Sequence, residues 1–124
     1  MVEVNLSHSD ISESNFSNAI MKQSRLIRVV GIASIFRGTD LSATMADFAD
    51  FTGSDFSGAN LRGGSFRRVD FSHAVLSGAD FSECDLTGAI MTEANLDGAI
   101  FENTRGLGSR KITTETSMID IEES

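Results

Sequence analysis

The strongest constraint on this chain is a five-residue period that runs without a break from Asp55 to Phe101. A large apolar residue recurs at every fifth position, and a mostly small residue stands two places before each of them. The large residues are Phe56, Leu61, Phe66, Phe71, Leu76, Phe81, Leu86, Met91, Leu96 and Phe101. A period this regular indicates a repeat architecture, which must be recognised before secondary structure is assigned.

The same frame extends backwards to Val4, so the register holds without insertion from Val4 to about Asn103. Only Gly31 and Ala46 interrupt the series of large residues. We predict an irregular corner near Ala46, where Phe48 either folds inward to fill the gap or marks a bulge in the chain.

A five-residue period fits neither an α-helix nor a flat strand, because residues five apart on a helix are rotated by ~140° and form no face. A chain that turns a corner every five residues explains the pattern. Four corners close a square coil of twenty residues, with one large and one small side chain per corner pointing inward. Stacked coils would pair as parallel strands about 4.8 Å apart, so about five coils would form a rod roughly 24 Å tall.

Segments such as ADFSECDLTGA, GANLRGG and EANLDGAIF resemble the pentapeptide-repeat family, whose motif is roughly Ala-(Asp/Asn)-Leu-x-x. The resemblance covers Val4 to Asn103 and is clearest from Ser54 onward. It implies an all-β fold, a right-handed quadrilateral parallel β-helix. We therefore expect residues 1–103 to form the β-helix, and residues 104–124 to be a C-terminal cap, a dimerisation segment or a disordered tail.

The composition limits the classes of function. The chain has 124 residues and a net charge of −8, which argues against binding nucleic acid through its phosphates. Its single cysteine excludes an intrachain disulfide. The N-terminal segment lacks the basic start and apolar run of a signal peptide, and the most apolar window, Leu26 to Phe36, is too short to cross a bilayer. We expect a soluble cytoplasmic protein with no membrane span.

Residue types that carry chemistry are present but isolated. Cys84 occupies an inward small position, where we expect an inert core thiol without an adjacent base. His8 and His73 fall about three coils apart and cannot share a metal. The recurrent Asp and Asn residues are typical of turns, since their side chains bond nearby backbone groups. We expect no enzymatic activity, no catalytic residues, no cofactor and no metal site.

Charged and apolar residues at outward positions are the better candidates for function. Arg62, Arg67 and Arg68 form a basic cluster, in which we expect Arg67 to pair with Asp47 one coil below. The apolar residues at outward positions predict an interface. The candidates are Ile27, Val30, Ile32 and Ile35 on the second coil, and Ile119 and Ile121 in the tail.

We therefore predict a non-enzymatic interaction module, an acidic β-helical rod that binds a protein partner and forms a homo-oligomer, without direct binding of nucleic acid. The resemblance also implies an alternative, a mimic of duplex DNA that acts on a type II topoisomerase. Its candidate acidic face is Asp50, Asp55, Asp70 and Asp80. The chain lacks the interrupting loops and the long C-terminal segment of the quinolone-resistance members of the family.

Overall fold

The computed structural model of the protein describes residues 3–107 in full, together with the backbone of residues 110–113 and 118–121. Residues 3–107 wind into stacked square coils of twenty residues, the predicted right-handed quadrilateral β-helix. Parallel pairing runs from Asn5 with Arg25 to Asp85 with Arg105, always between residues twenty positions apart. At each pair of residues two backbone hydrogen bonds join neighbouring coils, and a third joins the corners, as from the Arg28 amide to the Asp47 carbonyl at 3.0 Å. The Leu26 amide donates to the Met45 carbonyl at 2.7 Å, for example, and the Met45 amide donates to the Ser24 carbonyl at 3.0 Å.

The paired residues lie at the centres of four flat sides and point outward. The first side carries Asn5, Arg25, Met45, Ser65, Asp85 and Arg105. The second side carries Asp10, Val30, Asp50, Asp70 and Ile90. The third side carries Asn15, Ile35, Asp55, Val75 and Asn95. The fourth side carries Ile20, Asp40, Asn60, Asp80 and Ile100. The two residues between successive sides form the corners.

Each corner turns on its second residue, which has a positive φ at every corner from Glu3 to Asn103. Glycine adopts this left-handed region without steric cost, and it occupies seven of these positions. The Asp and Asn side chains beside the corners stabilise the turns. Asp50 Oδ1, for example, accepts hydrogen bonds from the Thr52 amide at 3.0 Å and the Thr52 hydroxyl at 2.6 Å. The sequence prediction that these residues are turn formers is confirmed.

The interior is filled by the large residues of the five-residue frame. Phe16, Phe36 and Phe56 form one stacked column, with ring centroids 5.2 and 4.8 Å apart. Phe81 and Phe101 form another column at 5.3 Å. Because neighbouring columns also meet edge to face, as Phe36 and Phe51 do, the aromatic rings form one continuous core.

The five-residue frame continues without a break through Gly31 and Ala46, the two positions that lack a large residue. The prediction of an irregular corner near Ala46 is therefore wrong. Ala46 is fully buried, and Phe48 neither folds inward nor marks a bulge. Phe48 points outward and is 46% exposed. At Gly31 the Phe51 ring fills the space of the missing side chain, since a Cβ built on Gly31 would lie 3.0 Å from Phe51 Cδ1.

The ladder continues slightly past Asn103. Thr104 is buried and its hydroxyl donates to the Phe81 carbonyl at 2.8 Å, and Leu107 is also buried. Two short strands follow, β1 (Arg110–Thr113) and β2 (Met118–Ile121), which pair antiparallel with Arg110 opposite Ile121. The assignment of residues 104–124 to a cap, a dimerisation segment or a disordered tail stays a prediction.

Candidate interaction surfaces

The four apolar residues predicted on the second coil form a belt around two sides of the rod. Val30 and Ile35 occupy the second and third sides, while Ile27 and Ile32 stand at the corners that flank the second side. Val30 is 38% exposed and Ile32 is 42% exposed; Ile27 and Ile35 are half-buried. The structure therefore places these four residues one after another on the outside of the second coil. The side chains of Ile119 and Ile121 lie outside the described residues.

The four candidate acids do not share one face. Asp50 and Asp70 pair directly in a column on the second side, whereas Asp55 lies on the third side and Asp80 on the fourth. All four occupy the same position of the five-residue repeat, and only the twenty-residue coil separates them onto different sides.

All four acids accept hydrogen bonds within the chain, and Asp55 and Asp80 also pair with arginines. Asp55 accepts from the Ser57 amide and from Arg37 Nε at 2.6 Å, and Asp80 pairs with Arg62 at 3.2 Å. Partial burial opposes ionisation at both sites. The hydrogen bonds and the guanidinium groups outweigh it and hold the pKa of each carboxyl below its ordinary value of 3.8. These carboxylates are therefore charged at neutral pH.

Charge is distributed unevenly around the rod. The first side and its two corners carry most of the cations that the structure describes: Lys22, Arg25, Arg28, Arg62, Arg67, Arg68 and Arg105. The acids of the same region are Glu3, Asp47, Glu83, Asp85 and Glu102. The remaining sides and corners carry one cation, Arg37, and nine acids: Asp10, Glu13, Asp40, Asp50, Asp55, Asp70, Asp80, Glu93 and Asp97. One side of an otherwise acidic rod is therefore slightly positive.

A patch that the sequence analysis missed lies on this positive side. We call it the cation–Phe corner, and it consists of Arg25, Arg28, Met45, Phe48 and Arg68. Arg25 and Met45 are paired neighbours on the first side, and Arg28, Phe48 and Arg68 are stacked in three successive coils at the adjacent corner. The Arg28 guanidinium carbon lies 4.5 Å from the centroid of the Phe48 ring, a cation–π contact. The twenty-residue frame could have found this column, because it aligns residues 28, 48 and 68.

The arginines of the cation–Phe corner differ from Arg37, Arg62 and Arg67 in their partners. Among the described residues, no carboxylate lies within 4.0 Å of the guanidinium of Arg25, Arg28 or Arg68. The expected pairing of Arg67 with Asp47 is wrong, because the Arg67 side chain reaches upward to Asp85 at 3.8 Å. Asp47 instead accepts from the Ser65 hydroxyl at 2.6 Å and the Arg67 amide at 3.1 Å.

Cys84 is a core residue, as predicted. Its side chain is fully buried, and its thiol donates to the Leu61 carbonyl at 2.7 Å. Burial raises the pKa of the thiol to about 12, so almost no thiolate forms at neutral pH.

The histidines stand far apart on the surface. His8 is exposed at the corner between the first and second sides, and His73 Nδ1 lies 3.3 Å from Glu93 Oε2 at the next corner. Within residues 3–107 and the two strand backbones, no cluster of three or more His, Cys, Asp or Glu could hold a metal ion. The same part of the chain holds no helix long and apolar enough to cross a membrane.

Comparisons with known proteins agree with this architecture. The model of the family of pentapeptide repeats matches residues 1–29, 32–63 and 64–103 in eight copies. No curated protein matches the sequence. A pentapeptide repeat protein from Nostoc Pcc 7120 is 25% identical over 79% of this chain and 84% of its own, with a TM-score of 0.65.

Two further solved structures show weaker superpositions. A pentapeptide repeat protein from the thylakoid lumen of Arabidopsis thaliana is 34% identical over 77% of this chain, with a TM-score of 0.44. This chain spans 57% of that protein's length. QnrB1, a plasmid-mediated fluoroquinolone resistance protein, is 18% identical over 84% of this chain and 80% of its own, with a TM-score of 0.29. Superpositions this weak carry no argument about function.

The square coil, the twenty-residue ladder and the buried five-residue frame define a quadrilateral β-helix built from repeats. The family model matches most of the chain, and this chain belongs to the pentapeptide-repeat family.

Proposed function

We propose that this protein is an interaction module, a non-enzymatic rod that presents its outer surface to a protein partner. One observation carries the proposal: large apolar side chains stand 38–54% exposed at positions where the frame points outward. They are Ile20, Val30, Ile32, Met45, Phe48, Ile90 and Ile100. Polar residues occupy equivalent positions in other coils, so the fold itself does not require apolar residues there. Exposed apolar surface of this kind marks interaction sites.

The belt of Ile27, Val30, Ile32 and Ile35 is the primary interface in this proposal. Polar residues border the apolar strip on both sides, so it has a polar rim. They are Ser7, Asp10, Ser12 and Asn15 below it, and Asp47, Asp50, Thr52 and Asp55 above it. That arrangement resembles the apolar centre and polar edge of protein interfaces. Ile119 and Ile121 remain candidates for a contact between copies, which would make the protein a homo-oligomer.

Affinity capture from extract of the source cells tests the interface, followed by reconstitution of the complex from two purified proteins. The double variant Val30→Ser, Ile32→Ser should lose the reconstituted complex. The matched control, Ile90→Ser with Ile100→Ser, removes the same kind of exposed side chain near the C-terminal end of the rod and should retain it. A complex that survives the first pair of substitutions would contradict the assignment. Light scattering tests the homo-oligomer, since the chain alone has a mass of 13.3 kDa.

A second candidate function is mimicry of duplex DNA toward a type II topoisomerase. The observation in its favour is the acidic surface of the second, third and fourth sides, where nine acids face one arginine. Asp50, Asp55, Asp70 and Asp80 contribute to three different sides of it, so the mimic would present a curved surface rather than one face. A supercoiling assay with DNA gyrase tests the candidate. If micromolar protein neither inhibits nor protects the gyrase, DNA mimicry is excluded.

We place the module in the cytoplasm. The free thiol of Cys84 is compatible with a reducing compartment, and the acidic surface favours solubility. Fractionation of the source cells, with an antibody against the rod, tests the location.

A further inference from the structure

We propose that the cation–Phe corner is a docking site for acidic protein segments that carry apolar side chains between their carboxylates. The inference rests on the proposed interaction function and assigns a second surface and a class of partner to it. The corner is Arg25, Arg28, Met45, Phe48 and Arg68, as defined above.

The first argument is that Phe48 serves no evident need of the fold. Its backbone lies in the left-handed region at φ 65°, as the second residue of every corner does. The same position of this corner is held by His8, Arg28, Arg68 and Gly88 in the other coils, so the fold does not require an aromatic side chain there. Its ring points outward and is 46% exposed. An exposed phenyl ring on a left-handed backbone does not help the fold, so a role in binding is the better explanation for Phe48.

The second argument is the state of the surrounding charges. Arg28 covers one side of the Phe48 ring, and the guanidinium groups of Arg25, Arg28 and Arg68 have no carboxylate within 4.0 Å among the described residues. Three of the four other arginines that the structure describes, Arg37, Arg62 and Arg67, pair with acids of the chain itself. The fourth, Arg105, lies at the C-terminal end of the first side. The corner therefore offers three exposed cations that a partner can neutralise.

The third argument concerns the extent of the positive surface. Arg28 and Arg68 stand two coils apart, about 10 Å, which is the length of a few extended residues. A long phosphate backbone would run beyond the corner and meet the acids of the neighbouring sides. A short segment with two or three carboxylates would not. Met45, 41% exposed beside Arg25, and Phe48 supply apolar surface that aliphatic side chains can cover and phosphates cannot.

Selection from a displayed library of random peptides, each about ten residues long to span the corner, tests the proposal. The full chain is the bait, and the selected peptides are then synthesised for fluorescence anisotropy titrations. We expect enrichment of sequences that combine Asp or Glu with Leu, Ile or Phe. Phe48→Gly, which places the residue preferred at this backbone conformation, should weaken their binding about tenfold or more. Arg28→Gln with Arg68→Gln should do the same.

The matched control is Arg37→Gln with Arg62→Gln, which removes the same total charge from two other corners. It should leave the affinity within about twofold, since Arg37 and Arg62 lie at other corners and already pair with carboxylates of the chain. Selected peptides that are neutral or basic, or that bind equally well to the Phe48 and Arg28/Arg68 variants, would overturn the docking site while leaving the interaction module in place. Failure of the folded rod to select any peptide would also overturn the docking site, whereas the interaction module is decided separately by the capture experiment and the belt variants.

Oligothymidylate and polyphosphate serve as competing probes in the same titrations. Tighter binding of either probe than of the selected peptides, abolished by Arg28→Gln with Arg68→Gln, would identify the corner as a phosphate site and refute the peptide assignment.

Discussion

The guanidinium of Arg28 lies 4.5 Å from the centre of the Phe48 ring, although the two residues are twenty positions apart in the chain. The contact exists because one coil places residue 48 directly next to residue 28 along the rod. It supports an apolar side chain outside the core, on a backbone conformation that disfavours it.

Replacing Phe48 by glycine is expected to leave the free energy of unfolding within about 1 kcal/mol of its original value. The lost cation–π contact and partial burial cost about 1–2 kcal/mol, and the relief of the left-handed backbone returns a similar amount. Urea unfolding followed by circular dichroism measures the change. A loss above about 3 kcal/mol would mean that Phe48 is part of the core after all.

Replacing Phe36 by alanine should destabilise the rod by about 3–5 kcal/mol. Phe36 is fully buried between the stacked rings of Phe16 and Phe56, so its removal leaves a cavity and separates two aromatic neighbours. The same urea measurement applies, with Phe48→Gly as the control for loss of a phenyl ring outside the core. Similar losses for the two variants would contradict the distinction between inward and outward positions.

Acid should destabilise the rod through its turn-forming aspartates. Hydrogen bonds from the Ser42 hydroxyl and amide lower the pKa of Asp40, and Asp55, Asp80 and Asp85 are lowered as well. A pKa that is lower in the folded state contributes stability above the unfolded value of 3.8 and loses it as the pH falls through the folded value. Thermal melting temperatures should therefore fall steeply below about pH 4.

The variant Asp40→Asn separates this titration from general acid effects, because the amide oxygen can still accept the Ser42 hydrogen bonds. Its melting temperature should depend less on pH over the acid range than that of the original chain. An identical pH dependence would show that Asp40 does not contribute.

Cys84 should resist alkylation in the folded protein. Burial raises the pKa of its thiol to about 12, and the side chain is closed off from solvent. Iodoacetamide at neutral pH should leave it unmodified under native conditions and label it fully in concentrated guanidinium chloride, as read by mass spectrometry. Rapid native labelling would indicate that the fifth coil opens readily.

The fold was predictable because every repeat obeys one register, and a single register leaves little choice of backbone path. The same register correctly assigned Cys84 to the interior and Ile27, Val30, Ile32 and Ile35 to the outside. The prediction that failed was the one that departed from the register, namely that Phe48 folds inward or marks a bulge to compensate for the small residue Ala46. Gaps in this core are filled along the axis by rings from the neighbouring coil, as Phe51 does beside Gly31.

The surface was less predictable for a different reason. Pairing between side chains depends on which way each long side chain leans, and the register does not specify this. Arg67 leans toward Asp85 rather than Asp47 for that reason. The uneven distribution of charge was accessible in principle, since it needs only the twenty-residue frame, but grouping the acids by the five-residue motif obscured it.

The ladder that joins residues twenty positions apart also has a consequence for how such a chain can change length. Inserting twenty residues adds one coil and leaves every column of stacked side chains intact. Inserting five residues preserves the buried frame but turns everything above the insertion by a quarter of a revolution. Such an insertion between Phe48 and Arg68 would keep the fold and move Arg68 to a different corner from Arg28 and Phe48. The packing of the core depends only on the five-residue repeat, whereas the columns of the outer surface depend on the twenty-residue coil. The surface can therefore be reorganised without disturbing the interior.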